Sequence, residues 1–260
     1  MKRIILLITI MVLLVSPVFT VFAETSTIEV NQTEATVEIS RPTTNYSSFK
    51  VIVEKDDVRY IYDLVSETES FPLQMGSGQY RIYVLGSKDG KRFRLLSRDT
   101  ITVELDEHAV FLSSSQTVYW TDDSDVTALA QAITKEAKTD REKLQAIHNY
   151  VVNNIAYDYD KIENLPKGYI PSAEATLEDG KGICYDFAAI TAAMLRAVDV
   201  PTKLIKGYSA YTSAYHAWNE VLVDGEWVVV DTSTDSIYAE NQVDYTLEKD
   251  LEDYDTSKVY

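Results

Sequence analysis

The sequence predicts two domains: an N-terminal all-β sandwich of immunoglobulin- or fibronectin-like kind, followed by an α+β domain. Three observations predict it. Between residues 24 and 106, apolar residues recur at every second position in short runs separated by turn chemistry. From about residue 125 the apolar period becomes that of a helix. From Lys203 the period returns to two, around an Asp224-Gly225 turn.

Residues 1–23 read as a secretory signal peptide. Lys2 and Arg3 open it, Ile4 to Val15 is apolar apart from Thr9, and Val21-Phe22-Ala23 offers small residues where a signal peptidase cuts. The run is short for a membrane span, so no integral membrane partner is implied. The expected location is extracellular, free or at the cell wall. The chain has 260 residues and a formal net charge of −17, which disfavours nucleic acid and anionic membrane surfaces as partners.

The sandwich is expected over 24–106. Its alternating sets are Ile28 and Val30; Ala35, Val37 and Ile39; Phe49, Val51 and Val53; Val58, Tyr60, Tyr62 and Leu64; Tyr80, Ile82 and Val84; and Ile101, Val103 and Leu105. Turns fall at Lys55-Asp56-Asp57, Met75-Gly76-Ser77-Gly78 and Ser87-Lys88-Asp89-Gly90. The spacing suggests about seven strands. Residues 107–124 break both periods and read as a linker. The acidic stretch Asp122 to Asp125 lacks the glycine and closing glutamate of a calcium loop, and reads as a helix N-terminus.

The second domain is expected over 125–260. Val126 to Ala137 is helical. Thr139 with Glu142 forms a capping box for a second helix, whose stripe is Leu144, Ile147, His148, Val151, Val152 and Ile155. His148 on that stripe reads as a packed, hydrogen-bonded core residue. Tyr157 to Gly180 reads as an irregular, cleft-forming loop. A third helix runs from Cys184 to about Val198. Strands at Lys203 to Tyr208, Tyr215 to Val223 and Glu226 to Asp231 complete the block.

Cys184 is the one cysteine, so the chain has no internal disulfide. An unpaired thiol in an oxidising place is a liability unless buried or used. Cys184 follows Gly180 and Gly182 at the start of a helix, where unpaired N–H groups and the dipole favour thiolate and could hold an oxyanion. The Asp224-Gly225 turn sets Val223 opposite Glu226 and Trp218 opposite Asp231. His216 and Asp231 then share a face as diagonal neighbours, roughly 7 Å apart at Cα. That spacing predicts a His–carboxylate pair, with the second imidazole nitrogen left for the thiol.

The stretches G-K-G-I-C-Y-D-F-A (180–188), A-V-D-V-P-T-K (197–203), Gly207-Tyr208, H-A-W-N-E-V (216–221) and V-D-T (230–232) resemble the transglutaminase-like branch of the papain-like cysteine enzymes. The resemblance extends upstream through Ile147 to Asp160 and covers about 112–234. It implies a papain-like core with Cys184 as nucleophile, His216 as general base and acid, and Asp231 as its orienter. The implied function is a secreted cysteine acyl-transfer enzyme acting on protein or peptide amides through a thioester, as transglutaminase, deamidase or peptidase. No cofactor or metal is required by that chemistry. The alternative is a secreted surface-binding module carrying an inactive domain of this type. Two departures stand out. The tryptophan such domains often carry after V-D-T is absent, and the tail from Ser236 is short and acidic, its place open. Tyr157 and Tyr159 are positional candidates for an oxyanion donor.

Overall fold

The computed structural model describes residues 27–260; the leader expected over 1–23 lies outside them. Seven strands come first: β1 (Ile28–Asn31), β2 (Thr36–Ser40), β3 (Ser48–Lys55), β4 (Val58–Asp63), β5 (Thr68–Pro72), β6 (Gly78–Ser87) and β7 (Arg94–Val103). They make two antiparallel sheets, ordered β1-β2-β5 and β4-β3-β6-β7. Alternate residues of both sheets meet in one apolar core. Val37, Ile39 and Phe71 come from the first sheet; Val51, Val53, Tyr62, Ile82 and Val84 come from the second. Most of the alternating sets therefore face inward as the period requires. β5 went unread in the sequence, because Thr68–Pro72 has no period-two apolar set.

The linker region is not a free tether. A single 3-10 turn, Ala109–Phe111, buries Val110 and Phe111 against Ala35. Gln116 donates to the Asp63 carbonyl at 2.5 Å, tying the linker to β4.

Two helices follow, α1 (Asp125–Thr134) and α2 (Asp140–Asn154). Ser124 caps α1 by accepting the Thr127 N–H, and Thr139 with Glu142 forms the expected capping box on α2. The segment read as irregular is more ordered than its sequence suggests. It contains β8 (Ala156–Tyr157), α3 (Tyr159–Glu163) and α4 (Ala173–Asp179). Ser172 caps α4, and Gly180 ends it in the left-handed conformation at φ 62°. β9 (Lys181–Gly182) then pairs parallel with β8 and leads into α5 (Cys184–Arg196).

α5 is the centre of the second core. Of its residues only Tyr185 is not buried. Against it lies a sheet of β10 (Thr202–Ser209), β11 (Thr212–Val223) and β12 (Glu226–Val230). The Val223↔Glu226 pairing is as the turn predicts, but the ladder stops at Asn219↔Val230. Asp231 has left the strand and caps α6 (Thr232–Glu240), a helix missed because T-S-T-D-S is poor in helix formers. The acidic tail returns as β13 (Tyr254–Val259), which pairs with β10 and completes the order β12-β11-β10-β13. Gly207 on β10 permits this. A Cβ there would lie 1.9 Å from the Asp255 carbonyl oxygen and 2.9 Å from the Trp218 ring.

Arg196, at the end of α5, is 2% exposed. It donates to the carbonyls of Thr202 at 2.9 Å, Ser113 at 2.7 Å and Tyr260 at 3.1 Å. One guanidinium thus joins the core helix, the linker and the segment after β13. Its charge also lies at the negative end of the α5 dipole. Arg196→Met leaves three carbonyls without that donor. The expected loss is about 3 kcal/mol of unfolding free energy by denaturant titration. A loss below about 1 kcal/mol would show that water replaces the guanidinium at no cost.

Candidate active site

Cys184 opens α5 and is 8% exposed. The turn before it is fixed by Asp186, which is fully buried. Asp186 Oδ2 accepts the Ile183 N–H at 2.9 Å and lies 2.7 Å from Lys161 Nζ, and its Oδ1 accepts the Tyr169 hydroxyl. The long loop is therefore anchored to the start of the helix that presents the thiol. Gly182 is required here, since a Cβ would lie 2.6 Å from the Asp186 Cβ.

His216 lies on β11, opposite Gly207, and is 7% exposed. Its Nε2 is 2.7 Å from Asp231 Oδ2, and its ring stacks on Trp218 with centroids 6.2 Å apart. That leaves Nδ1 for Cys184, whose side chain shares a cleft with the ring. Burial opposes the imidazolium. The hydrogen bonds and charges of Asp231 and Cys184 outweigh it, and the His216 pKa is pushed up to about 10.

Asp231 accepts more than the sequence indicated. Its Oδ1 takes the Ser233 hydroxyl at 2.9 Å and the Thr234 N–H at 3.1 Å. Its Oδ2 takes the Thr234 hydroxyl at 2.7 Å and the Tyr254 hydroxyl at 3.0 Å, besides His216. Burial alone would raise this carboxyl. His216 and Thr234 reverse that and hold it at about 2. Leaving the ladder to cap α6 is what gives the carboxylate these extra donors. The D-x-x-T pattern signals the cap, whereas nothing local to Tyr254 announces its reach across to Asp231.

Cys184 and His216 open on one cleft. It is lined by Tyr157, Ile162, Tyr211 and Tyr215, and by Ile237 and Tyr238 of α6. No Asp, Glu, Lys or Arg lines it. Tyr157 lines the cleft with Cys184, and burial pushes its hydroxyl pKa up. Tyr159 is 57% exposed and packs on Tyr157 at 4.9 Å. His148 is a core residue as expected, 1% exposed, with Nε2 2.8 Å from Asp235 Oδ2. Among the described residues, no three His, Cys, Asp or Glu side chains are grouped to hold a metal ion.

Residues 127–232 match the model of the transglutaminase-like superfamily. Over 106 residues the chain is 30% identical to a UPF0252 protein of Methanocaldococcus jannaschii, covering 37% of this chain and 30% of that one. Over 120 residues it is 26% identical to the kyphoscoliosis peptidase of Mus musculus, covering 42% of this chain and 18% of that one. The chain thus spans 30% or less of the length of these curated relatives. Among solved structures it is similar to the periplasmic domain of TgpA from Pseudomonas aeruginosa. There the identity is 15% and the TM-score 0.39, over 76% of this chain and 91% of that one.

Proposed function

Residues 127–232 are a transglutaminase-like domain, and from that premise we propose that Cys184, His216 and Asp231 are the catalytic triad of a secreted cysteine acyl-transfer enzyme. The supporting observation is that the imidazole bonded to Asp231 at 2.7 Å lines the same cleft as the thiol of Cys184. Cys184 thiolate attacks the carbonyl carbon of a peptide or side-chain amide. His216 gives its Nδ1 proton to the departing nitrogen, which leaves as ammonia or an amine, and a thioester remains on sulfur. An incoming amine or water gives that proton back to His216 as it attacks the thioester, and the thiolate leaves. Asp231 keeps Nε2–H directed and stabilises the imidazolium formed in each cycle. Backbone N–H groups at the start of α5 are placed to receive the oxyanion.

The substrate class is a protein or peptide. A cleft without charged walls suits a neutral amide at the reacting centre. We further assign residues 24–106 to an immunoglobulin- or fibronectin-like sandwich, 107–124 to a linker and 125–260 to the catalytic domain. The two main apolar cores, one built of residues between 37 and 103 and the other of residues between 118 and 230, support that division. Among the described residues no helix is long and apolar enough to cross a membrane. The proposed secretion rests on the leader pattern of residues 1–23.

The test offers a glutamine-containing protein together with a fluorescent primary amine. Covalent labelling is expected if an amine is the acceptor; release of ammonia or fragments is expected if water is. Either product must vanish in Cys184→Ala. If the unaltered protein yields neither, the enzymatic reading is rejected.

A further inference from the structure

Asp231 occupies a joint. β12 ends at Val230 and α6 begins at Thr232, so the carboxylate stands where strand bonding has stopped and helix bonding has just started. Two grips bracket this joint. Upstream, the Lys249 N–H donates to the Val229 carbonyl at 2.9 Å, in an antiparallel bridge outside the main sheet. Downstream, the Asp235 N–H closes the first turn of α6 on the Asp231 carbonyl at 3.1 Å.

Asp235 is fully buried, and both its oxygens are held. Oδ1 receives the Lys249 ammonium, whose side chain is 4% exposed, and Oδ2 lies 2.8 Å from His148 Nε2 on α2. Lys249 therefore holds the chain on both sides of Asp231, by backbone before it and by side chain after it. None of the three side chains lines the cleft around Cys184. Asp235 and Lys249 also lie beyond residues 127–232.

Burying this many ionisable groups is an expensive way to attach a helix, and apolar residues of like volume would do it as well. What ionic hydrogen bonds add is direction. A triad carboxylate needs its angle to the imidazole fixed to a fraction of an ångström. We propose that Lys249 and His148 are positioning residues that act through Asp235 to set the placement of Asp231 against His216; the proposal rests on the triad reading above.

The test is the double variant Lys249→Met/Asp235→Leu. It removes one charge of each sign, so the local net charge is kept, and apolar replacement of a buried pair is commonly tolerated. The readouts are the melting temperature and the pH profile of Cys184 alkylation by iodoacetate, an anion that the imidazolium attracts and that reacts more slowly once this cation is lost. A looser Asp231 stabilises the imidazolium less, so the alkaline limb, where that cation is lost, is expected to move down by about half a pH unit or more. The melting temperature is expected to change by only a few degrees. An alkaline limb unmoved from that of the unaltered protein would overturn the proposal.

If the double variant does not fold, Lys249→Met is examined by amide hydrogen exchange. Exchange at Thr234 and Asp235, whose N–H groups bond to Asp231, is expected to quicken relative to Val151 of α2. Equal quickening at all three, or none, rejects the clamp. The exchange readout does not depend on thiol chemistry. If the unaltered protein alkylates no faster than free cysteine, the triad reading fails, and exchange still decides whether Lys249 holds Asp231 in place.

Discussion

His216→Ala is expected to abolish acyl transfer, with a loss of about four orders of magnitude or more, comparable to that of Cys184→Ala. The two changes act on one unit. Without the imidazole there is no proton for the leaving nitrogen and no cation beside the sulfur. The alkylation profile separates the roles. In His216→Ala the acid limb of alkylation should move to higher pH than in the unaltered protein. The unaltered protein should still react at about pH 5, where an ordinary thiol is ionised to well under one part in a thousand. A paired thiolate is also a weaker nucleophile than a free one. The expected advantage at that pH is therefore about tenfold or more rather than the full ratio of thiolate populations. Identical profiles for the two proteins would show that His216 and Cys184 are neighbours without being coupled.

Asp231→Asn is expected to lower turnover by about three to four orders of magnitude while leaving Cys184 in place. An amide at this position can present its NH₂ to Nε2 and favour the wrong tautomer. It also meets the hydroxyls of Ser233, Thr234 and Tyr254 without the charge that now draws them together. The alkaline side of the pH–rate profile carries the diagnostic. His216 serves as acid only while protonated. That capacity is present below its pKa of about 10 and is lost as the pH rises through it. Asp231 is a main reason the value is so high, so the alkaline limb should move down in the variant. Asp231 itself stays ionised down to about 2, so it does not set the acid limb. A variant that keeps both the turnover and the position of the alkaline limb would show that Trp218 packing alone orients the ring.

The parts of the site that were legible in the sequence are those fixed by local rules. A two-residue turn sets a register, so Asp224-Gly225 fixed the pairing from Val223↔Glu226 to Asn219↔Val230, and the expected pairing of Trp218 with Asp231 fails because Asp231 leaves the ladder to cap α6. A capping box is a four-residue pattern, and Thr139 with Glu142 marked the start of α2 to the residue. A residue on an apolar helical stripe points into the core, which is where His148 lies. What escaped depends on partners distant in sequence. Tyr254 reaches Asp231 from 23 positions away, and its own neighbours are the polar, weakly patterned Asp255-Thr256-Ser257. α6 is held by α2 and α5 rather than by its own residues, so its composition hid it. β5 is a strand because β2 pairs with it along Thr36↔Pro72 to Ser40↔Thr68, and half of that segment is polar. β13 was unreadable for the same reason: its place beside β10 is recorded in Gly207, not in its own sequence.

β13 follows every other described element in chain order. A nascent polypeptide halted short of Tyr254 would already own the sulfur, the imidazole and the carboxylate. It would still lack a hydroxyl on that carboxylate, and one flank of β10 would stand open to stray pairing. Closure of that flank of β10 and the Tyr254 donor to Asp231 both wait on this segment.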